Sequence, residues 1–205
     1  MWAVPMFVLA TWWSWRVLQA AHVDASRVSR IYWLAGSATT FIVLGFATSA
    51  LATDGGRPPI WAVWGIVAGV IGPLLSSDIA VKRLPLHLTA WASVISLVSL
   101  TVVEGPAGRL GPLLGALGMT SITYVLRLLT KKSLGLGDVF LSPLLGAVVG
   151  WFDPLAVFGA WMVTAVFGAV MALAGLVGGK KRDSVMAYGP ALMVGTALAL
   201  VGLAW

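Results

Sequence analysis

Lys131-Lys132-Ser133-Leu134-Gly135-Leu136-Gly137-Asp138 runs directly into Val139–Phe152, VFLSPLLGAVVGWF, a 14-residue stretch without a charge. Two lysines, two glycines and a carboxylate at the lip of an apolar run mark a passage from water into hydrocarbon. At 1.5 Å per helical residue the run spans about 21 Å, short of a hydrocarbon core of about 30 Å; counted from Leu134 it spans about 28 Å. Gly135, Leu136, Gly137 and Asp138 are therefore expected at or just within a membrane boundary. Glycine there lets another chain approach the backbone closely. An ionisable group at that depth is costly, and it points to a working site with a partner to be found.

The surrounding chain fits the same reading. Of its 205 residues, 60% are hydrophobic and only 10% charged, and the mean hydropathy is +0.97, far from the mix of an ordinary soluble domain. Stretches of spanning length occur at about 2–20, 31–52, 59–77, 86–103, 111–129, 139–152, 155–178 and 185–204. The expected fold is all-α, a polytopic integral membrane protein with about eight transmembrane helices and no soluble domain. No positive segment precedes the first stretch and Arg16 sits at its far end, so it reads as a retained helix. The absence of cysteine excludes a disulfide framework and a Cys-based zinc module, and His22 and His87 are too scattered for a metal site. No cofactor is implied.

Orientation follows from the basic residues, because short loops rich in Lys and Arg stay in the cytoplasm. Arg16, Arg27, Arg30, Lys82, Arg83, Arg127, Lys131, Lys132, Lys180, Lys181 and Arg182 fall on one set of alternate connections, leaving Arg57 and Arg109 on the other. Both termini are expected outside, in a cell inner or plasma membrane. The net charge of +6 then needs no nucleic acid partner, since its distribution is the ordinary positive-inside bias. The same assignment puts Asp54, Glu104 and Asp153 outside, and Asp24, Asp78, Asp138 and Asp183 inside. Asp78 closes the third helix and Asp138 opens the sixth, so two intervening helices return the chain to one face and the two acids are able to meet.

Two facing carboxylates have a specific use. Neighbouring negative charges make such a pair share a proton, leaving one member ready as a base and the other as an acid. The base deprotonates a water held between them, while the acid hydrogen-bonds an amide carbonyl and helps protonate the leaving amine. No nucleophilic Ser or Cys and no metal is needed. Two other readings stand beside this one. On spacing alone, Gly135 and Gly137 form an interhelical turn and Asp138 a helix N-cap. A proton-coupled membrane transporter also uses intramembrane acids and interrupted helices, although here the acids lie near one face and no inverted repeat is evident.

Three segments, in order, carry a family resemblance. Asp78-Ile79-Ala80-Val81-Lys82-Arg83-Leu84-Pro85-Leu86-His87-Leu88-Thr89 resembles the first aspartate segment of the prepilin peptidases, the type IV leader peptidase family of membrane aspartic proteases. Gly135-Leu136-Gly137-Asp138-Val139-Phe140-Leu141 resembles that family's Gly-x-Gly-Asp-Val-Lys-Leu segment, and Ala187-Tyr188-Gly189-Pro190-Ala191-Leu192 its aromatic-Gly-Pro segment. The resemblance covers about 59–204, dividing the chain into two N-terminal helices (1–58) without a family match and a six-helix peptidase core (59–205). It implies Asp78 and Asp138 as the catalytic pair, with Gly135, Gly137, Leu84, Pro85, Gly189 and Pro190 as motif support. The implied reaction removes a short basic leader, after a glycine, from a prepilin or pseudopilin at the cytoplasmic face. Phe140 stands where the family usually has Lys, and Leu86 where it usually has Asn. Bifunctional members carry a long cysteine-containing cytoplasmic loop and also methylate the new pilin end. The corresponding connection here, 21–30, is short and has no cysteine, so the resemblance does not extend to that activity.

Other features read as structural. Gly65 and Gly69, Gly111 and Gly115, and Gly146 and Gly150 are small-xxx-small pairs for close helix packing. Trp12, Trp13 and Trp15 beside Arg16 look like an interfacial aromatic belt, and Lys180, Lys181 and Arg182 like topology determinants. Gly189-Pro190 is expected to break or kink the last helix.

Overall fold

Hydrophobic runs bounded by charged or Gly/Pro-rich connections become helices, since only a helix satisfies its backbone within one segment. The computed structural model describes residues 86–108, 110–130, 134–178 and 188–203, together with Val8, Trp12, Arg16, Val67, Gly69, Val70, Ile71, Leu74 and Asp78. Five helices are bounded within it: α1 (Leu86–Gly108), α2 (Leu110–Leu129), α3 (Leu136–Phe152), α4 (Ala156–Val177) and α5 (Gly189–Leu203). The isolated residues from Val67 to Asp78 are helical as well, and no strand occurs among the described residues. The last five expected spans correspond to α1–α5. The spans at 2–20, 31–52 and 59–77 lie wholly or largely outside the described residues.

Two helices run past the ends that hydropathy marks. α1 continues through Glu104 to Gly108, and α3 begins at Leu136 rather than Val139. Hydropathy marks where hydrocarbon ends, whereas a helix runs on into the polar interface. Between α3 and α4 the turn is tight: the Asp153 N–H donates to the Val149 carbonyl (3.0 Å), and Asp153 Oδ1 accepts the Leu155 N–H (2.9 Å). Pro154, with no N–H to give, cannot continue α3.

α3 is the central helix. α3 packs against α1, α2, α4 and α5, most extensively against α2, and it buries Leu141, Leu144, Leu145, Ala147, Val148 and Val149. The α2–α3 seam is made of glycine. A Cβ placed on Gly150 would stand 2.5 Å from the Gly111 carbonyl oxygen and 2.6 Å from Gly115 Cα, and one on Gly146 would stand 2.8 Å from the Gly115 carbonyl carbon. Two of the small-xxx-small pairs seen in the sequence therefore meet each other, backbone on backbone.

Polarity is arranged opposite to that of a soluble bundle. Thr123, Ser142, Thr164 and Thr196 are buried, each hydroxyl donating to the carbonyl four residues earlier. The outward stripes are apolar: Phe158, Met162, Val166, Val170, Leu173 and Val177 along α4, and Trp91, Val94, Ile95, Val98 and Val102 along α1. Contiguous apolar surface of this extent suits lipid rather than water. Leu110–Leu129 and Ala156–Ala174 are long and apolar enough to cross a membrane, and α1, α3 and α5 contain shorter apolar segments. Near the N-terminus the Arg16 guanidinium lies over the Trp12 ring, 5.3 Å from its centroid, in keeping with an interfacial pair.

Candidate active site

Asp138 is held by the start of its own helix. Gly135, in extended geometry (φ −61°, ψ 144°), is the N-cap of α3, which makes Asp138 the third helical residue. A glycine cap offers no side chain to the free N–H groups of the first turn. Instead the Asp138 carboxylate reaches back and accepts the Gly135 N–H, which is half of a capping box. The N-cap reading of Asp138 is thereby corrected: the cap is Gly135, and the carboxylate acts from inside the helix. A Cβ on Gly135 would stand 3.0 Å from Asp138 Oδ2, so the cap must stay small for the carboxylate to fold back.

Asp78 is held by the start of a different helix. The Gly189 N–H, an unshared donor in the first turn of α5, donates to the Asp78 carboxylate. Pro190 follows in that same turn, where its missing N–H costs nothing, so Gly189-Pro190 starts the helix rather than kinking it.

Gly189 brings the two acids together. A Cβ on Gly189 would stand 2.5 Å from Asp78 Oδ2 and 3.6 Å from Asp138 Oδ1. Those two oxygens are therefore no more than roughly 6 Å apart, the sum of the two distances, a gap that one hydrogen-bonded small molecule spans. Asp78 is 4% exposed and Asp138 5%. Asp78 Oδ2 and Asp138 Oδ1 are both buried without a hydrogen-bond partner among the described residues. Each carboxylate thus has a backbone N–H holding it and an unpartnered oxygen beside the same glycine.

Residues 66–173, just over half of the chain, match the model of the type IV leader peptidase family. The chain belongs to that family. Neither a curated protein nor a solved structure matches it. Membership makes the chain a peptidase of the membrane, and the matched region contains both Asp78 and Asp138 while ending before Tyr188-Gly189-Pro190.

Of the other sequence-derived positions in this leader peptidase, Gly135 and Gly189 touch the carboxylates, Gly137 is the second helical residue of α3, and Pro190 is half-buried in the first turn of α5. Leu84 and Pro85 lie outside the described residues. Phe140 is two residues past Asp138, about 200° around the helix, and its ring is 39% exposed. Its carbonyl accepts the Ser93 hydroxyl at 2.6 Å, tying α1 to α3. The departure at this position therefore points away from the paired acids.

Two neighbours of the paired acids are not among the site residues expected from the sequence. Arg127, in the last turn of α2, donates to the Leu134 carbonyl and acts electrostatically on Asp138. The sequence marks it as one of the basic residues that orient the chain; a helix-terminal cation one short loop ahead of the acid is the signal of its second part. Tyr188 precedes Gly189, packs against the core and senses the charge of Asp138. Among the described residues no group of three or more His, Cys, Asp or Glu side chains comes together.

Proposed function

We propose that this leader peptidase is an aspartic endopeptidase in which Asp78 and Asp138 activate water to remove the leader from a type IV prepilin or pseudopilin. What carries the reading is the convergence of two buried carboxylates, from segments 60 residues apart, on the backbone of Gly189 with one unpartnered oxygen each. In the reaction one carboxylate is ionised and the other protonated. A water hydrogen-bonded between Asp78 Oδ2 and Asp138 Oδ1 gives its proton to the ionised member as its oxygen attacks the scissile carbonyl carbon. The protonated member hydrogen-bonds the carbonyl oxygen and stabilises the tetrahedral intermediate. Collapse breaks the C–N bond, the amine takes a proton from the pair, and a carboxylate and a free amine leave.

The membrane supplies the geometry. A prepilin's hydrophobic N-terminal helix lies in the bilayer beside the enzyme, which puts the leader junction at the boundary where α3 and α5 begin. The active site faces the cytoplasm, the chain spans the inner membrane several times, and residues 59–205 form the peptidase core, with 1–58 as additional helices.

Coexpression with candidate prepilins from the same genome tests the proposal: one of them is expected to lose the mass of its leader. A transporter would leave every candidate intact. Reporters fused after Gly179 and Gly56 are expected to read cytoplasmic and external respectively; the opposite pattern would put both aspartates out of reach of a cytoplasmic leader.

A further inference from the structure

Gly189 lies against both carboxylates only if α5 starts at the right place, and α5 is located by its packing on α4. One contact is near its middle. A Cβ on Gly195 would stand 2.6 Å from the Ala160 carbonyl oxygen and 2.8 Å from the Thr164 nitrogen, so α5 rides directly on the α4 backbone there. The second contact is at its beginning. A Cβ on Gly168 would stand 2.8 Å from Tyr188 Cε2 and 3.6 Å from its Cζ and Oη, so the ring occupies room that only glycine leaves. Thr164 and Gly168 are one turn apart on one face of α4. Together they meet α5 at two levels, Gly168 at the residue immediately before Gly189. The Tyr188 carbonyl also accepts the Leu192 N–H at 3.2 Å, which closes the first turn of α5 and couples the anchored ring to the helix start.

We propose that Gly168 and Tyr188 are positioning residues: the Tyr188 ring, seated in the notch at Gly168, fixes the Gly189 backbone between Asp78 and Asp138. Both act through the Gly189 backbone. The inference rests on the reading of the two aspartates as the catalytic pair. It assigns work to a glycine in the middle of α4 that carries no chemistry of its own. Filling the notch pushes the ring, and with it the start of α5, while leaving both carboxylates in place in the sequence.

Purified enzyme in detergent and a purified prepilin provide the test, with rates normalised to the folded enzyme recovered. Gly168→Ala is expected to lower kcat by roughly 10- to 100-fold, since misplacing a catalytic group by about 1 Å has that scale of effect, with KM nearly unchanged. Tyr188→Phe keeps the ring and should retain most of the activity, whereas Tyr188→Ala should lose it. The double variant Gly168→Ala/Tyr188→Ala should be no slower than Tyr188→Ala alone, because without the ring there is nothing for the added methyl to displace. Unchanged kcat in Gly168→Ala, multiplicative losses in the double variant, or a Tyr188→Phe defect as deep as that of Tyr188→Ala would each overturn the positioning role. Wild-type enzyme that leaves the prepilin intact, or Asp78→Asn enzyme that still cleaves it, would instead overturn the aspartate reading beneath it.

Discussion

The α2–α3 seam and the Asp78–Gly189–Asp138 junction both depend on glycine, for different reasons. At the seam, Gly111 and Gly115 face Gly146 and Gly150, and what an added Cβ would strike is mostly backbone. At the junction, what a Cβ on Gly189 would strike is the tip of the Asp78 carboxylate. Backbone cannot step aside without separating two helices. A carboxylate can rotate away, and then the helix survives but the acid has left its place. The same residue type thus guards stability in one region and alignment in the other.

Paired substitutions sharpen that contrast. Gly189→Ala is expected to reduce leader cleavage by about 10²-fold while most of the folded protein is still recovered. Gly150→Ala is expected to act the other way, costing about 1–3 kcal/mol of overpacking and visibly lowering thermal stability and yield, with cleavage per folded molecule close to wild type. Rate and recovered fold, measured on the same preparations, separate the two; equal losses of both quantities in both variants would erase the distinction.

A smaller effect is expected at Arg127, which holds the Leu134 carbonyl and faces Asp138 from the end of α2. Arg127→Gln removes the charge and weakens the clamp. A fall in kcat of about tenfold is expected, the scale of one lost hydrogen bond to a charged group, with Arg127→Lys falling less. A loss of folded protein without a change in kcat would reduce Arg127 to a structural tie.

The smallest effect belongs to Phe140. Its ring is partly exposed on the side of α3 away from the paired acids, so Phe140→Lys should leave the cleavage rate nearly unaltered. A large change in either direction would mean that this face of α3 meets the substrate.

These regions differed in how readable they were. The five described helices stood out because apolar length is a local property of the chain, but their ends did not. Gly137 and Asp138 interrupt the apolar run as if they preceded a helix, yet with Leu136 they form the first turn of α3, since a carboxylate at the third position stabilises a helix start rather than preventing it. The pairing of Asp78 with Asp138 was legible from topology, as two acids returned to one face by two intervening helices. Gly189-Pro190 reads as a break or a kink because sequence shows that proline interrupts a helix without showing on which side the helix lies. The junction at Gly189, the clamp at Arg127 and the Gly168 notch were not legible, because each depends on the register of one helix against another. The small-xxx-small spacing did expose the α2–α3 seam, where the pattern repeats along a single helix face.

The central claim is that both aspartates act in the chemistry, and the rate of leader removal from a purified prepilin by Asp78→Asn and Asp138→Asn enzymes tests it most directly. Each substitution keeps the size of the side chain and removes its ability to titrate. Each is expected to lower the rate by at least about 10²-fold with insertion and abundance nearly unchanged, while Asp24→Asn and Asp183→Asn, assigned to the same membrane face, are expected to cleave like wild type. Near-wild-type cleavage by either Asp78→Asn or Asp138→Asn would contradict the claim.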